Sequence, residues 1–160
     1  MAIIALLLSA AAVAIDQIIK LLVLENLKPV GRMTVINNFF DLFYLENKGA
    51  AFGILQNQTW FFIVVTSIIT IFIIAALFRY NNHDLFSYTA SILIIGGGIG
   101  NLIDRILYGY VIDYISISFF PPVFNFADCC VTVGTVFLLI HILFFADVED
   151  KNSEKVIRTK

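Results

Sequence analysis

Charge is scarce in this chain. Asp, Glu, Lys and Arg make up 14% of its 160 residues, where a soluble domain carries about 25%. The shortage is local, because the charges cluster between long apolar runs. Together with 60% hydrophobic residues and a mean hydropathy of +0.93, that pattern marks a membrane protein. An excess of one sign is also missing: a net charge of −2 creates no basic field, so nucleic acid is not expected as a partner. The only cysteines, Cys129 and Cys130, are adjacent. Neighbouring Cα atoms lie about 3.8 Å apart, too close for ordinary disulfide geometry, so they read as two small buried hydrophobes. There is no CxxC or HExxH motif, and His83 and His141 are far apart in sequence. No protein-bound metal or cofactor is therefore expected.

What is present is a set of four apolar runs. A helix needs about 20 mostly apolar residues to cross the hydrocarbon core. Segments 2–24, 60–78, 86–107 and 127–146 qualify, predicting a membrane all-α fold, a four-transmembrane-helix bundle in a single domain over 1–160. Ala12-Val13-Ala14 resembles a signal-peptide cleavage site, but no Lys or Arg precedes it and the apolar run continues past it to Leu24. The first run is expected to remain as a span. No cysteine lies near it, so the chain is not expected to be a lipoprotein precursor itself. In the long connection 25–59, Val35-Ile36, Asn37-Asn38 and 39–45 read as strand, turn and strand, rich in aromatics. They predict a small β-sheet cap outside the membrane whose aromatics sit at the lipid surface. The connection between the last two spans holds Pro121-Pro122 and reads as a loop. The charged tail 147–160 has no apolar period and is expected to be frayed or a short surface helix.

Lys151, Lys155, Arg158, Lys160 and Arg79 flank one membrane face, five in all, against Lys28, Arg32 and Lys48, three, on the other. That bias places both termini and the tail in the cytoplasm. A second pattern does not depend on orientation. Asp16 and Lys20, then Asn101, Asp104, Arg105 and Asp113, then Asn125 and Asp128 all fall at the same end of the bundle when the spans alternate. The opposite halves are nearly featureless.

Ionisable groups within a membrane cost about 2.5–3.5 kcal/mol each on insertion scales, so they are paired or functional. Asp16 and Lys20, four residues apart on one helix face, can form an ion pair that locks the span; a catalytic role is the other reading. Asn101 and Arg105 repeat that spacing. Gly96 to Gly98 and Gly100 lower the bulk of the third span, as close helix packing requires. Asp113 and Asp128 flank a connection that must close between antiparallel neighbours. Two carboxylates brought together share a proton. The ionised one can then draw a proton from water while the protonated one donates to a carbonyl, which is peptide hydrolysis without metal, serine or cysteine. On spacing alone, each could equally cap a helix or face water at the interface.

Four ordered blocks carry a resemblance: Asp16-Gln-Ile-Ile-Lys20; Asn47-Lys-Gly-Ala-Ala-Phe-Gly53; Gly100-Asn-Leu-Ile-Asp-Arg105 continuing through Gly109-Tyr-Val-Ile-Asp113; and Phe124-Asn-Phe-Ala-Asp128 with Gly134. From about residue 10 to 145 the chain resembles the lipoprotein signal peptidases (signal peptidase II), bacterial aspartyl proteases of lipoprotein maturation. The resemblance implies that Asp113 and Asp128 are the catalytic dyad. It implies that Asn47, Gly49, Asn101, Arg105 and Asn125 position substrate or brace the dyad, and that Asp16 with Lys20 supports the fold nearby. It further implies a monomer in the bacterial cytoplasmic (inner) membrane, in contact with membrane lipid. Its active site would lie near the outer face and its substrates would be diacylglyceryl-modified prolipoproteins, cut before the lipidated cysteine. Ile19, Cys129-Cys130 and a short connection between the aspartates depart from the family's pattern.

A transporter or channel using the intramembrane carboxylates is the main alternative class. It needs polar lining to both faces, and segment 60–78 offers only Thr66, Ser67 and Thr70. A serine protease with Lys20 as base lacks a serine in a nucleophile motif. A non-catalytic assembly subunit leaves the two aspartates without a reason.

Overall fold

The structure, a computed structural model, describes residues 1–49 and 55–145. The expectation for the tail 147–160 and residues 50–53 of the Asn47–Gly53 block lie outside the described residues. Helix α1 (Ala2–Leu22) runs into a π-helical turn, Val23–Leu27. Strands β1 (Arg32–Ile36) and β2 (Phe40–Asn47) follow, then α2 (Thr59–Arg79), α3 (Leu85–Tyr108), β3 (Val111–Ile117), β4 (Phe120–Phe124) and α4 (Phe126–Phe144). The four helices are long and apolar enough to cross a membrane, and their bounds fall within a few residues of the predicted spans. The strands form one antiparallel sheet in the order β1-β2-β3-β4.

The predicted first hairpin is present, turning through Asn37-Asn38 with Asn38 at φ 57°, a left-handed conformation that Asn tolerates. The second hairpin, β3–β4, was expected as a loop because of Pro121-Pro122. Those prolines lie on β4, which pairs only with β3. On this edge strand both fall in the irregular stretch between the paired Phe120 and Phe124, where no ladder pair is broken, so the same two residues fit a strand.

Helix α3 is the axis of the bundle. Asp84 caps its start in a reciprocal box with Ser87, the Ser87 N–H donating to Asp84 Oδ1 at 2.7 Å and the Asp84 N–H to Ser87 Oγ at 3.0 Å. Gly109 ends it with φ +80°, the left-handed cap that glycine takes most readily. Between these ends, successive residues turn by about 100°, so Gly96, Gly97 and Gly98 face three different helices. A Cβ on Gly96 would lie 2.8 Å from Ala12 Cβ of α1, and one on Gly98 3.0 Å from Thr70 Oγ1 of α2. A Cβ on Gly97 would strike the Ala127 carbonyl of α4 and come within 2.9 Å of Val131. Gly100 shares the α1-facing side with Gly96, with Asp16 Oδ2 2.6 Å from where its Cβ would sit.

Two apolar clusters result. One, of Ala5, Ile73, Leu77, Ile94 and Ile95, lies between the helices. The other, of Val23, Leu27, Ile112 and Tyr114, joins the π turn to the sheet.

The half of the bundle away from the sheet is not featureless as expected. His141, buried in the last turn of α4, places Nδ1 2.9 Å from Asp84 Oδ1 at the start of α3. His83 and His141, distant in sequence, both pack edge-on against the Tyr80 ring, at 5.3 and 5.7 Å.

Overpacking a tight helix contact costs about 1–3 kcal/mol. Gly97→Ala is therefore expected to lower the thermal midpoint of the purified protein in detergent by several degrees. Ile68→Ala, at a side chain 62% exposed on the outer face of α2, should leave it nearly unchanged.

Candidate active site

The sequence folds so that one strand and one helix start bring two carboxylates together, with amides from β2 and α3 beside them. Asp113 lies on β3 opposite Leu45 of β2 and is fully buried. Its Oδ2 accepts from Asn47 Nδ2 at 2.8 Å and its Oδ1 from Asn125 Nδ2 at 2.6 Å. Asn47 ends β2, and its side-chain Oδ1 accepts the Gly49 N–H at 3.0 Å, turning the chain away from the sheet.

Asp128 occupies the first turn of α4, in a capping box with Asn125. The Asp128 N–H donates to Asn125 Oδ1 at 2.9 Å, and the Asn125 N–H to Asp128 Oδ2 at 3.1 Å. The other oxygen, Asp128 Oδ1, accepts from Asn101 Nδ2 at 2.7 Å. Asn125 Nδ2 also reaches Asn101 Oδ1 at 3.2 Å. The two carboxylates are thus joined through two side-chain amides, Asn101 on Asp128 and Asn125 on Asp113. Burial pushes the Asp113 carboxyl up to about 7. The negative charge of Asp128 adds to the effect, against the pull of the Asn47 and Asn125 hydrogen bonds.

Behind this pair sits Lys20, itself buried. Its ammonium meets Asp16 Oδ2 at 2.9 Å, Asp104 Oδ2 at 2.8 Å and Asn101 Oδ1 at 2.9 Å. Three donors meet three acceptors, so Lys20 has no free lone pair or hydrogen with which to serve a serine. The same contact fixes the Asn101 amide: with its oxygen turned to Lys20, its NH2 must face Asp128.

A cavity of about 710 Å3 opens in front, between α2, α3, α4 and the β3–β4 hairpin. Asn47, Gly49, Asn101, Arg105 and Asp128 form its polar head, and Asp113 lies behind the Asn47 amide. Its body is apolar or small, with Ile69, Gly98, Val131 and Phe124 among its walls. Arg105 stands at the rim, its guanidinium 4.9 Å from the centre of the Phe62 ring and 3.4 Å from the Gly49 carbonyl, a long contact. Cys129 lines the cavity while Cys130 is buried. Among the described residues, no group of three His, Cys, Asp or Glu side chains is placed to hold a metal ion.

Every site residue expected from the sequence is gathered here: Asp16, Lys20, Asn47, Gly49, Asn101, Arg105, Asp113, Asn125 and Asp128. Three participants were not among them. Asp104 is fully buried and accepts the Ile112 N–H at 3.0 Å. Gln17 Nε2 reaches Asp104 Oδ1 at 3.1 Å and Asp16 Oδ2 at 3.2 Å. The Tyr114 hydroxyl accepts the Phe126 N–H at 3.2 Å. Asp104, a third intramembrane carboxylate one helical turn from Asn101, was visible as a signal; Gln17 and Tyr114 carry none.

Comparison with known proteins identifies the family of the chain. The family model for signal peptidase (SPase) II matches residues 8–144. A lipoprotein signal peptidase of Caldanaerobacter subterraneus subsp. tengcongensis is 46% identical over 140 residues, covering 88% of this chain and 96% of the relative. One from Clostridioides difficile is 48% identical over 134 residues, covering 83% and 90%. A bacterial membrane enzyme solved by the in meso method at 2.3 Å resolution superposes with a TM-score of 0.78 at 33% identity, covering 87% of each chain. With the family model spanning most of the chain and these relatives above 45% identity, the chain belongs to the signal peptidase II family.

Proposed function

We propose that this chain is an aspartyl endopeptidase of the bacterial cytoplasmic membrane. It removes the signal peptide from diacylglyceryl-modified prolipoproteins, cutting just before the lipidated cysteine. The observation that carries this reading is the pair of carboxylates joined through the Asn101 and Asn125 amides, with Asp128 at the head of an apolar cavity and Asp113 buried just behind it. The family match supports the substrate class; nothing in the site favours a transport pathway.

In the reaction, the pair holds one proton. A water between the carboxylates gives a proton to the ionised aspartate as its oxygen attacks the scissile carbonyl carbon. The protonated aspartate donates its proton to the carbonyl oxygen, giving a neutral tetrahedral intermediate. Collapse of that intermediate breaks the C–N bond as the first aspartate passes its proton to the leaving amine and the second takes one back from a hydroxyl of the intermediate, restoring the pair. The two amides hold the carboxylates in register throughout. The signal helix lies along the cavity walls of α2, α3 and α4, while the substrate's lipid stays towards the bilayer.

The whole chain 1–160 acts as one peptidase domain and as a monomer, with both termini in the cytoplasm and the sheet and site at the outer face. In a variant with Cys129 and Cys130 replaced by Ala, Gln58→Cys should react with an impermeant maleimide in intact cells. Lys155→Cys should react only in opened ones. The reverse labelling pattern would invert the topology.

The chemistry is tested by processing of a purified diacylglyceryl-modified prolipoprotein in detergent. Asp113→Asn and Asp128→Asn should each lose at least a thousandfold in rate while remaining folded, and a chelator should have no effect on wild type. A fully active single variant would remove that aspartate from the mechanism.

The rate should follow a bell in pH. With the Asp113 carboxyl raised to about 7, the shared proton is present below that pH and lost as pH rises through it. The basic limb should therefore fall near neutrality, and a rate still flat at pH 9 would contradict the shared-proton form.

A further inference from the structure

The buried charges behind the site touch the backbone immediately before each of the paired aspartates. Asp16 Oδ1 accepts the N–H of Ala127 at 3.1 Å, and Ala127 precedes Asp128. Asp104 Oδ2 accepts the N–H of Ile112 at 3.0 Å, and Ile112 precedes Asp113. Lys20 bridges the two carboxylates, at 2.9 Å to Asp16 and 2.8 Å to Asp104. One ammonium on α1 thus ties the first turn of α4 to the start of β3. These elements otherwise belong to different layers of the molecule. All three side chains are at most 2% exposed, so solvent screens none of these interactions.

An ion pair that served only to lock spans together would need one partner on each helix. Here both acids spend their second interaction on a backbone amide, and in each case it is the amide next to a reacting residue. Lys20 spends its third hydrogen bond on Asn101, whose NH2 holds Asp128. Gln17 completes the frame from the rim by donating to Asp104 Oδ1 and Asp16 Oδ2.

We propose that Asp16, Lys20 and Asp104 are positioning residues that set the separation of Asp113 and Asp128, each acid holding the backbone of one aspartate and Lys20 fixing the distance between the acids. The proposal rests on the peptidase reading above. It adds that the catalytic distance is set from behind the site as well as by the amides within it.

Two substitutions test it without removing a buried charge. Lys20→Arg keeps the cation but replaces a compact three-donor head with a planar fork. Gln17→Met removes only neutral donors at a partly exposed position. With the spacing loosened, kcat per folded molecule should fall about tenfold in Lys20→Arg and at least threefold in Gln17→Met, with KM within twofold of wild type. A shared proton is held less firmly by carboxylates that are further apart. The Asp113 titration should therefore move to lower pH by at least half a unit in both variants. That midpoint can be followed by carboxyl-carbon NMR of Asp-labelled protein, with or without turnover. If Lys20→Arg does not fold, Gln17→Met decides. Folded variants with wild-type kcat and an unmoved midpoint would overturn the proposal, as would a rate loss that tracks the folded fraction alone. Should wild type fail to cleave while the midpoint still moves, the spacing device stands and the peptidase reading falls.

Discussion

An ammonium ion can sit inside an apolar bundle only if each of its hydrogens is met and its charge is balanced nearby, and around Lys20 that requirement organises the molecule. The acceptors come from α1 and from two positions of α3. Leaving any of them out would strand a buried charge, at a cost of about 3–5 kcal/mol. Satisfying them demands that α1 and α3 lie in one register and no other. The residues bound in turn by Asp16, Asp104 and Asn101 then have little freedom left. The register of α4 and the entry of β3 follow from the same set of bonds.

Helix α3 can supply this many partners because it has given up side chains on the other parts of its surface. Glycines at 96, 97 and 98 let α1, α4 and α2 approach on three sides. The next turn of the same helix carries Asn101 and Asp104 inward and Arg105 to the cavity rim. Close packing and polar chemistry are thus consecutive along a single element. The contrast with α2 is plain: its long exposed aliphatic and aromatic residues face outward, and it contributes only walls to the cavity, Thr66, Ile69 and Thr70.

Most of this was legible from the sequence wherever a rule acts on consecutive residues. Span length and apolarity located the four helices, helical spacing paired Asp16 with Lys20, and Asn37-Asn38 marked the first hairpin. What escaped depended on partners distant in the chain. Pro121-Pro122 argues against a strand unless one knows that β4 is an edge. Asp104 looks like a companion of Arg105 until the fold shows it pointing at Lys20 and Ile112. His141 looks like an isolated residue in an apolar run until the end of α4 meets the start of α3 at Asp84. That the candidate residues would gather at one place was readable chiefly because four spaced blocks resembled a known family. Spacing alone left Asp128 as a helix cap, and the structure shows that it is one, in the capping box with Asn125.

The three-sided packing of α3 also bears on the order in which the protein is made. Helices α1 and α2 meet chiefly through α3, yet both emerge from the ribosome before it. Until α3 is inserted, α1 has no docking surface and its two charges have only each other. The spacing of Asp16 and Lys20 by one helical turn makes that early state tolerable, since the pair can neutralise itself within a lone span. Arrival of α3 then brings a second carboxylate to Lys20 and three glycine faces to its neighbours. Assembly of the bundle is thereby tied to arrival of the third of the four spans, and the half of the molecule around Lys20 cannot form before the chain is nearly complete.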